Sequence, residues 1–371
     1  MDSETNGKSR EQFQVLSYWQ MMWRELKKNK LALYSGAVLL LIYVVIIPFT
    51  EFVAPYGLRT RHRGFEYVSP QRPRFIDQEG NFRLRPFVYD LEGETDLRTL
   101  SRVYTEDKSV KHNIYFFVRG EEYDLFNLFT TNIHFFGTKE DGQFFPLGTD
   151  SQGRDLLSRI LFGGRITLSV GLLGVALTII LGTVLGMISG YFGGVIDMVI
   201  QRLIEILLGF PRIPLWLALA AALPPDWSPI QVYFGVTLLL SIINWGNLGR
   251  QIRGLTLSLR DEEFVLAARA CGSGTWHIIS QHMFPHNLSH IIVISTLSIP
   301  TMIIGETMLS FLGLGIRPPM TSLGVLLEDA QQIHILSQRP WIITPAFFVI
   351  ATVLCFNFFG DGLRDAADPF S

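Results

Sequence analysis

Among the charged residues inside long apolar segments, two have no oppositely charged residue three or four positions away. They are Arg212 and Glu306. Inserting such a group into a membrane costs about 2.5–3.5 kcal/mol, so each is a candidate functional residue by default. We interpret both as candidates for lining a water-filled translocation path, with a satisfied structural ion pair as an equally supported alternative. Arg202 and Glu205, three residues apart, are expected instead to pair with each other.

Three histidines, His282, His286 and His290, recur every four residues. On an unbroken helix this spacing would present imidazole rings on one face, an arrangement that can bind a transition metal. Pro285 falls inside the pattern, and a proline is expected to break the helix. No metal site is therefore predicted, and metal binding is kept as a minor alternative.

The sequence lacks the motifs of nucleotide-binding and hydrolytic sites. The only Gly-Lys pair, Gly7-Lys8, is not preceded by the glycine that a P-loop requires, and neither HExxH nor GxSxG occurs. The chain is therefore predicted to have no catalytic residues and to bind no nucleotide itself.

Composition predicts an all-α membrane protein. Of the 371 residues, 48% are apolar and 17% are charged, whereas soluble domains average about 25% charged residues. The net charge of −2 offers no basic surface for nucleic acid, and the two cysteines form no disulfide or zinc pattern. Spans in lipid must be helical because lipid offers the backbone no hydrogen-bonding partner. Six apolar segments are long enough to span: 31–49, 166–192, 198–223, 230–248, 290–314 and 341–359.

The distribution of lysine and arginine predicts how these spans are oriented. Basic residues are frequent before the first span and between spans four and five, and they are scarce after spans three and five. Cytoplasmic loops carry the excess of basic residues, so both termini and the loop at about 250–290 are predicted to be cytoplasmic. The predicted domains are a cytoplasmic amphipathic tail, a first span, an extracytoplasmic insert and a core with five further spans: 1–30, 31–50, 51–147 and 148–371.

The tail and the insert have different patterns. Apolar residues from Phe13 to Leu26, three or four apart, predict an amphipathic helix that lies on the membrane surface or on a partner, or is simply solvated. In the insert, 83–91 and 113–119 have the composition of strands, and 77–81 that of a turn between two strands. The insert between the first two spans is therefore predicted to be a small, partly β domain. A disordered loop would leave its many aromatic side chains in water.

Glycines and prolines mark special features in two spans. Gly182, Gly186 and Gly190 recur at four-residue intervals and form a smooth groove for another helix. We expect this groove to serve packing within the bundle, with a dimer interface as the alternative. In the third span, Pro211 and Pro214 flank Arg212 and are predicted to bend the helix.

The sequence of the segment 261–285 predicts two short helices. Ala267 and Ala268 keep the surface of the first helix low, and Gly272 and Gly274 allow the turn that follows. A low-relief helix beside several arginines suits docking into a groove on another protein.

This segment resembles the EAA loop of binding-protein-dependent ABC importer permeases. The pattern Ala-Ala-x-x-x-Gly at 267–272 is followed thirteen residues later by Pro285. In that family the loop forms a coupling helix that inserts into a cytoplasmic ATPase subunit. The resemblance assigns the following residues to the coupling loop: Glu263, Ala267, Ala268, Arg269, Gly272, His282 and Pro285.

Other segments narrow the resemblance to the C-type permease subunit of dipeptide and oligopeptide importers. They lie at 28–32, 147–159, 311–319 and 356–369, so that nearly everything outside 51–146 is covered. The resemblance implies the six-helix, MetI-like fold of type I importers in a prokaryotic plasma membrane. Leu266 stands where the family has the glutamate before the two alanines, which puts any ion pair of that glutamate in doubt.

The resemblance also implies a mechanism and a set of partners. The chain would form half of a pore that works by alternating access, together with a homologous B-type permease subunit, two cytoplasmic ATPase subunits and an external solute-binding protein. ATP and magnesium would be bound by the ATPases, and no cofactor by this chain. The implied solutes are di- and oligopeptides, with oligosaccharides or a nickel complex as alternatives. A secondary transporter and a membrane-anchored receptor are rival interpretations. The first leaves the docking loop unexplained, and the second leaves five further spans without a purpose.

Overall fold

The computed structural model describes residues 18–95, 102–126, 128–139 and 142–367, and the start of the predicted tail helix, including Phe13, lies outside them. Within these residues the chain is mostly helical. The α-helices are α1 (Tyr18–Leu26), α2 (Lys30–Leu41), α3 (Thr50–Val53), α4 (Leu156–Phe192), α5 (Gly194–Gly209), α6 (Arg212–Ala221), α7 (Pro229–Leu259), α8 (Glu263–Ala270), α9 (Thr275–His277), α10 (Phe284–Phe311), α11 (Leu323–Leu326), α12 (Ile333–Gln338) and α13 (Thr344–Ala367). Short π-helical segments cover Ile42–Ile46 and Ile278–Met283, and 3₁₀ turns cover Glu328–Gln331 and Pro340–Ile343.

The described residues contain four to six candidate membrane spans. Four continuous helical stretches are long and apolar enough to cross a membrane: Leu156–Phe192, Pro229–Leu259, Thr275–Phe311 and Pro340–Ala367. Two further pairs of helices meet the same criterion together but are bent at a short break. The chain bends by 103° between Gln20–Leu26 and Lys30–Ile46. It bends by 91° between Gly194–Gly209 and Arg212–Ala221.

The bend predicted in the third span is confirmed, and it interrupts the helix completely. Helix α5 ends at Gly209 and α6 begins at Arg212, with Pro211 as its N-terminal cap. Phe210, just before the proline, is extended, with φ −92° and ψ 142°. A residue that precedes proline is disfavoured from the helical conformation, so the chain turns there instead of continuing the predicted span.

The prediction that Pro285 breaks the helix is wrong. The chain is helical without interruption from Thr275 to Phe311, and Pro285 occupies the first turn of α10. The π-helical segment Ile278–Met283 precedes it directly. Proline is tolerated in the first turn of a helix, and the wider π turn changes the hydrogen-bond pattern just before it. Helix α10 also contains Pro300 in its interior.

The described residues of the insert form five strands in two antiparallel sheets. They are β1 (Arg74–Ile76), β2 (Phe82–Thr95), β3 (Arg102–Asn113), β4 (Tyr115–Leu125) and β5 (Phe129–Gly137). One sheet has the order β1-β2-β3, and the other is the β4-β5 hairpin. The predicted strand 83–91 lies within β2, whereas 113–119 is divided between β3 and β4 at the buried Ile114. The N–H of Ile114 donates to the carbonyl of Pro86, which fixes the point where the chain leaves the first sheet.

The turn predicted at 77–81 joins β1 to β2. The Asp77 carboxylate accepts the backbone N–H groups of Glu79, at 3.1 Å, and Asn81, at 2.9 Å. Gly80 has a φ of +80°, a conformation that favours glycine. The N–H of Asn81, with Lys111 nearby, lowers the pKa of Asp77.

The helices pack around α4, α7 and α10. Helices α4 and α7 run along each other, α10 packs on α4 and α13, and α2 packs on α13. Leu240, Met302 and Ile303 are fully buried in the central cluster that these helices share. In α1, Leu26 is buried in a cluster with residues of α13, whereas Trp23 is 51% exposed. The described part of the tail therefore covers the C-terminal helix of its own chain with its inner face.

Candidate functional site: the α8 loop and a neighbouring cavity

Helix α8 has one buried face and one exposed face. Val265 has no exposed surface and Ala268 is 8% exposed, so both point into the protein. Glu263, Leu266 and Ala267 are exposed, and Ala270, which is also exposed, continues their row. Residues three and four apart share a helix face, so these four side chains form one stripe, here called the α8 stripe. Ala267 therefore belongs to the predicted docking face, whereas Ala268 does not.

The buried face of α8 joins a hydrophobic cluster that three long helices share. Its buried members come from α4, α7, α8, α10 and the π-helical segment: Met187, Leu248, Ile252, Val265, Ala268, Ile278, Ile279, Met283 and Ile291. Interiors packed in this way transmit displacement because they leave few voids to absorb it. A force on α8 would therefore reach α4, α7 and α10 together.

Aromatic contacts also join the rest of the loop to the end of α4. The guanidinium of Arg269 lies 5.7 Å from the ring centre of Tyr191 at the end of α4, a geometry that attracts a cation. Trp276 is 64% exposed and lies 6.5 Å from Phe192. After α8, Gly272 turns the chain with a φ of +80°.

Two of the three histidines in the predicted row make local contacts, and His290 lies in the lining of a neighbouring cavity. The ring of His286 stacks on Phe264 at 4.6 Å, and its Nδ1 lies 2.7 Å from the carbonyl oxygen of His282. Pro285 is exposed and His282 is half-buried. Of the coupling residues that the sequence predicted, Glu263, Ala267, Arg269 and Gly272 lie on the exposed side of the loop.

The glycine groove of α4 is filled by α7 of the same chain. A Cβ atom added at Gly182 would lie 2.9 Å from Leu248, at Gly186 2.6 Å from the carbonyl oxygen of Gly249, and at Gly190 2.7 Å from Thr256. These distances are too short for any side chain. The three glycines therefore serve packing within the bundle, and they leave no free surface for a dimer interface along this stripe.

The two ionisable residues proposed for the path lie in different environments. Arg212 is exposed at the start of α6, beside the break in the third span. Glu306 has no exposed surface, and its carboxylate accepts a hydrogen bond of 2.7 Å from Ser310. The structure thus does not bring them together. In this conformation Glu306 faces the packed core and not open space.

Helix α5 takes part in two ion pairs, one with α7 and one within α5 itself. Arg253 of α7 donates two hydrogen bonds to Asp197 of α5, at 2.5 and 2.6 Å, and the Ser189 hydroxyl donates a third at 2.5 Å. This set ties α4, α5 and α7 together beside α8. The predicted Arg202–Glu205 pair is confirmed at 2.6 Å, and both side chains are mostly exposed.

A cavity of about 910 Å³ lies among α7, α10 and α13, and sequence reasoning missed it. Its polar lining includes Asn247, Gln251, Ser298 and Arg364, together with Asn287, whose buried Nδ2 has no hydrogen-bond partner among the described residues. The spacing was visible in the sequence, because Asn247 and Gln251 are four residues apart and therefore share one face of α7. Such a space could admit a polar solute.

Comparison with known proteins matches the chain to a transport family. A family profile described as "Binding-protein-dependent transport system inner membrane component" matches residues 182–370. Another, described as "N-terminal TM domain of oligopeptide transport permease C", matches residues 17–70. Neither match includes residues 71–181, which contain all five described strands.

Individual relatives are transport permeases by name. The chain is 45% identical over 234 residues to the oligopeptide transport system permease protein OppC of Haemophilus influenzae, covering 62% of this chain and 72% of that protein. It is 42% identical over 223 residues to the dipeptide transport system permease protein DppC of Alkalihalophilus pseudofirmus, covering 60% and 71%. It is 42% identical over 236 residues to OppC of Escherichia coli, covering 62% and 73%.

Proposed function

Since the chain belongs to the binding-protein-dependent transport system inner membrane components, and among them to the C-type permease subunits of dipeptide and oligopeptide importers, we propose that it forms half of a peptide-importing pore. ATP hydrolysis on two partner subunits drives the import, and a B-type permease subunit supplies the other half of the pore. An external solute-binding protein delivers the peptide. This chain binds no ATP, magnesium or other cofactor itself.

The proposed topology has six spans, with each bent helix pair counted as one. Both termini and the loop that contains α8 lie in the cytoplasm, as the basic residues before span one and around Arg250 to Arg269 favour. The insert at 51–147 lies on the opposite side of the membrane. The plasma membrane of a prokaryote is the proposed location.

The observation that carries the proposal is the two-faced packing of α8. One face joins the cluster shared with α4, α7 and α10, and the α8 stripe remains uncovered. An ATPase that grips the α8 stripe can shift the pore between its states only through contacts that differ between those states. The exposed stripe supplies such contacts, and the buried face connects them to the spans.

The cavity among α7, α10 and α13 is the proposed section of the path in this subunit. Asn247, Gln251 and Asn287 offer amide donors and acceptors that suit the backbone of an extended peptide. Arg212 stays a candidate for the path, because it is exposed beside the broken third span. Glu306 would join the path only if the transport cycle exposes it. Peptides are favoured as the solute because relatives are named as dipeptide and oligopeptide permeases.

The test is purification of the tagged chain from its native membrane, followed by reconstitution of what copurifies into liposomes. We expect two ATPase subunits and a second permease subunit to copurify, and uptake of radiolabelled tri- to pentapeptides to require ATP and the binding protein. Oligosaccharide or nickel uptake by the same ATP-dependent complex would correct the solute alone. Peptide uptake driven by an ion gradient, without any copurifying ATPase, would identify a secondary transporter and contradict the proposal.

A further inference from the structure

The β4–β5 hairpin ends in an exposed apolar tip. Phe126, Leu128 and Phe129 are 52%, 73% and 67% exposed. Phe116 and Phe117, nearer the base of the hairpin, are also exposed. Large apolar side chains gathered on one edge of a domain mark a surface that another apolar phase covers.

The hairpin is held in place against the end of the first predicted span. His134 of β5 is buried, and its Nδ1 lies 2.7 Å from the carbonyl oxygen of Ala54, just after α3. At the tip, the ring of Phe126 lies 5.4 Å from Phe49 in an edge-to-face arrangement. The ring centre of Phe52 in α3 lies 6.1 Å from that of Phe117 and 5.9 Å from that of Phe135. The height of the tip along the span is therefore determined by direct contacts.

The apolar tip continues a surface of the first span. Tyr34, Val38 and Leu41 of α2 are exposed at three- and four-residue spacing, and the exposed Val45 and Phe49 continue this apolar surface through the π-helical segment to the turn before α3. A membrane-spanning segment exposes apolar side chains of this kind to lipid. Because Phe49 contacts Phe126, the surface passes from the span to the hairpin without a gap.

An ion pair beside the tip marks the level at which the span leaves the hydrocarbon. Arg165 of α4 donates two hydrogen bonds to the Glu51 carboxylate, at 2.6 and 2.5 Å. Both side chains, with Phe126, line the same small pocket. Glu51 follows the first predicted span and Arg165 precedes the second, and long charged side chains at the ends of spans reach the level of the headgroups, where water and lipid phosphates solvate them.

We propose that the tip of the β4–β5 hairpin, formed by Phe126, Leu128 and Phe129, inserts into the boundary between lipid headgroups and acyl chains next to the first span. Phenylalanine and leucine are among the residues that interfacial elements bury on their apolar side. An interfacial element buries its apolar side about 5–10 Å into that boundary. The insert is then a domain with two attachments to the membrane, one through the spans and one through the hairpin. The proposal requires only that the chain spans a membrane and is independent of the solute.

The test measures what surrounds the tip in the assembled transporter. After Cys271 and Cys355 are replaced by serine, a spin label is placed at Leu128→Cys, and the complex is reconstituted in nanodiscs of phosphatidylcholine and phosphatidylglycerol. We expect collisions with oxygen, which concentrates in lipid, to exceed those with a water-soluble nickel chelate. Leu84→Cys is the matched control, because Leu84 is 89% exposed on β2 between two arginines. There the nickel chelate should dominate.

Two results would overturn the proposal. A label at Leu128 that meets the nickel chelate as freely as the label at Leu84 places the tip in water. A label shielded from both reagents places it against protein, and a B-type permease subunit is then the occupant. If Leu128→Cys does not assemble, Phe129→Cys gives the same reading from the neighbouring exposed position.

Discussion

Helices α4 and α8 both present small residues, and the structure uses them in opposite ways. In α4, Gly186 touches the backbone of α7, and a Cβ atom there would lie 2.6 Å from the carbonyl oxygen of Gly249. In α8, Ala267 is exposed on a stripe that no described residue covers. Small residues in a span are covered by the same chain, because close packing is what holds helices together in lipid. Outside the membrane, the same kind of surface is left for a partner.

The largest effect is expected from filling the groove of α4. Gly186→Leu would push a side chain into the backbone of α7 and cost at least about 1–3 kcal/mol, the usual range for overpacking. We expect lower abundance in the membrane and a lower melting temperature of the purified subunit. Gly164→Leu is the control on the same helix, because a Cβ atom there meets nothing within 4 Å. Equal losses for the two variants would refute the contrast.

Tryptophan substitutions at Ala267 and at Ala268 test which face of α8 contacts the ATPase. Ala267→Trp should leave abundance unchanged and lower ATP-driven uptake about 5- to 150-fold, the usual range of coupling between two sites. Ala268→Trp should lower abundance first, because Ala268 is 8% exposed within the hydrophobic cluster. Immunoblots of membranes and uptake in liposomes separate the two effects. Normal coupled uptake by Ala267→Trp would show that the α8 stripe is not the docking face.

The Asp197–Arg253 and Arg202–Glu205 ion pairs should contribute differently to the free energy of unfolding. Asp197→Asn removes charge from a bidentate contact with Arg253 and should cost about 1.5–3 kcal/mol, as for hydrogen bonds to charged groups. Partial exposure of both side chains favours the lower end of that range. Arg202→Gln breaks an exposed pair and should change stability by no more than about 1 kcal/mol. Thermal unfolding of the two purified variants gives the comparison, and a larger shift for Arg202→Gln would contradict it.

The smallest effect is expected from charge on the α8 stripe. Glu263 and Leu266 are three residues apart on the same exposed face. If Glu263 replaces the missing family glutamate, Glu263→Gln should lower uptake by up to about fivefold, which corresponds to a surface pair of up to about 1 kcal/mol. Adding Leu266→Glu to that variant should restore uptake. Failure of the second change to restore it would assign the ATPase contact to another residue.

Local patterns allowed part of the fold and site to be predicted. The glycine spacing identified a helix contact, and Pro211 correctly marked a bend. Pro285 misled, because its effect depends on the π-helical turn before it, which no local pattern indicates. Glu306 could not be placed from the sequence either. Its burial depends on how other helices surround it, and hydropathy records only that it lies within an apolar segment.

The cavity was missed for a related reason. The predicted fourth span ended at 248, so Gln251 lay outside it, whereas α7 continues to Leu259 and carries both Asn247 and Gln251. Only the packing of α7 against α10 and α13 shows that these residues enclose a space. Element type follows from hydropathy, whereas the faces that meet depend on three helices far apart in sequence.

Because the helix is continuous through Pro285, the segment from Thr275 to Pro300 can rotate as one rigid rod. From Thr275 to Pro300 there are 25 residue steps, or about 38 Å at 1.5 Å per residue. Pro300 lacks an amide donor and is a natural pivot within the membrane. A rotation of only about 10° at that pivot would move the Thr275 end by about 7 Å, which is a little more than one turn of helix. A small change of angle at Pro300 would therefore produce a large displacement of the loop that contains α8.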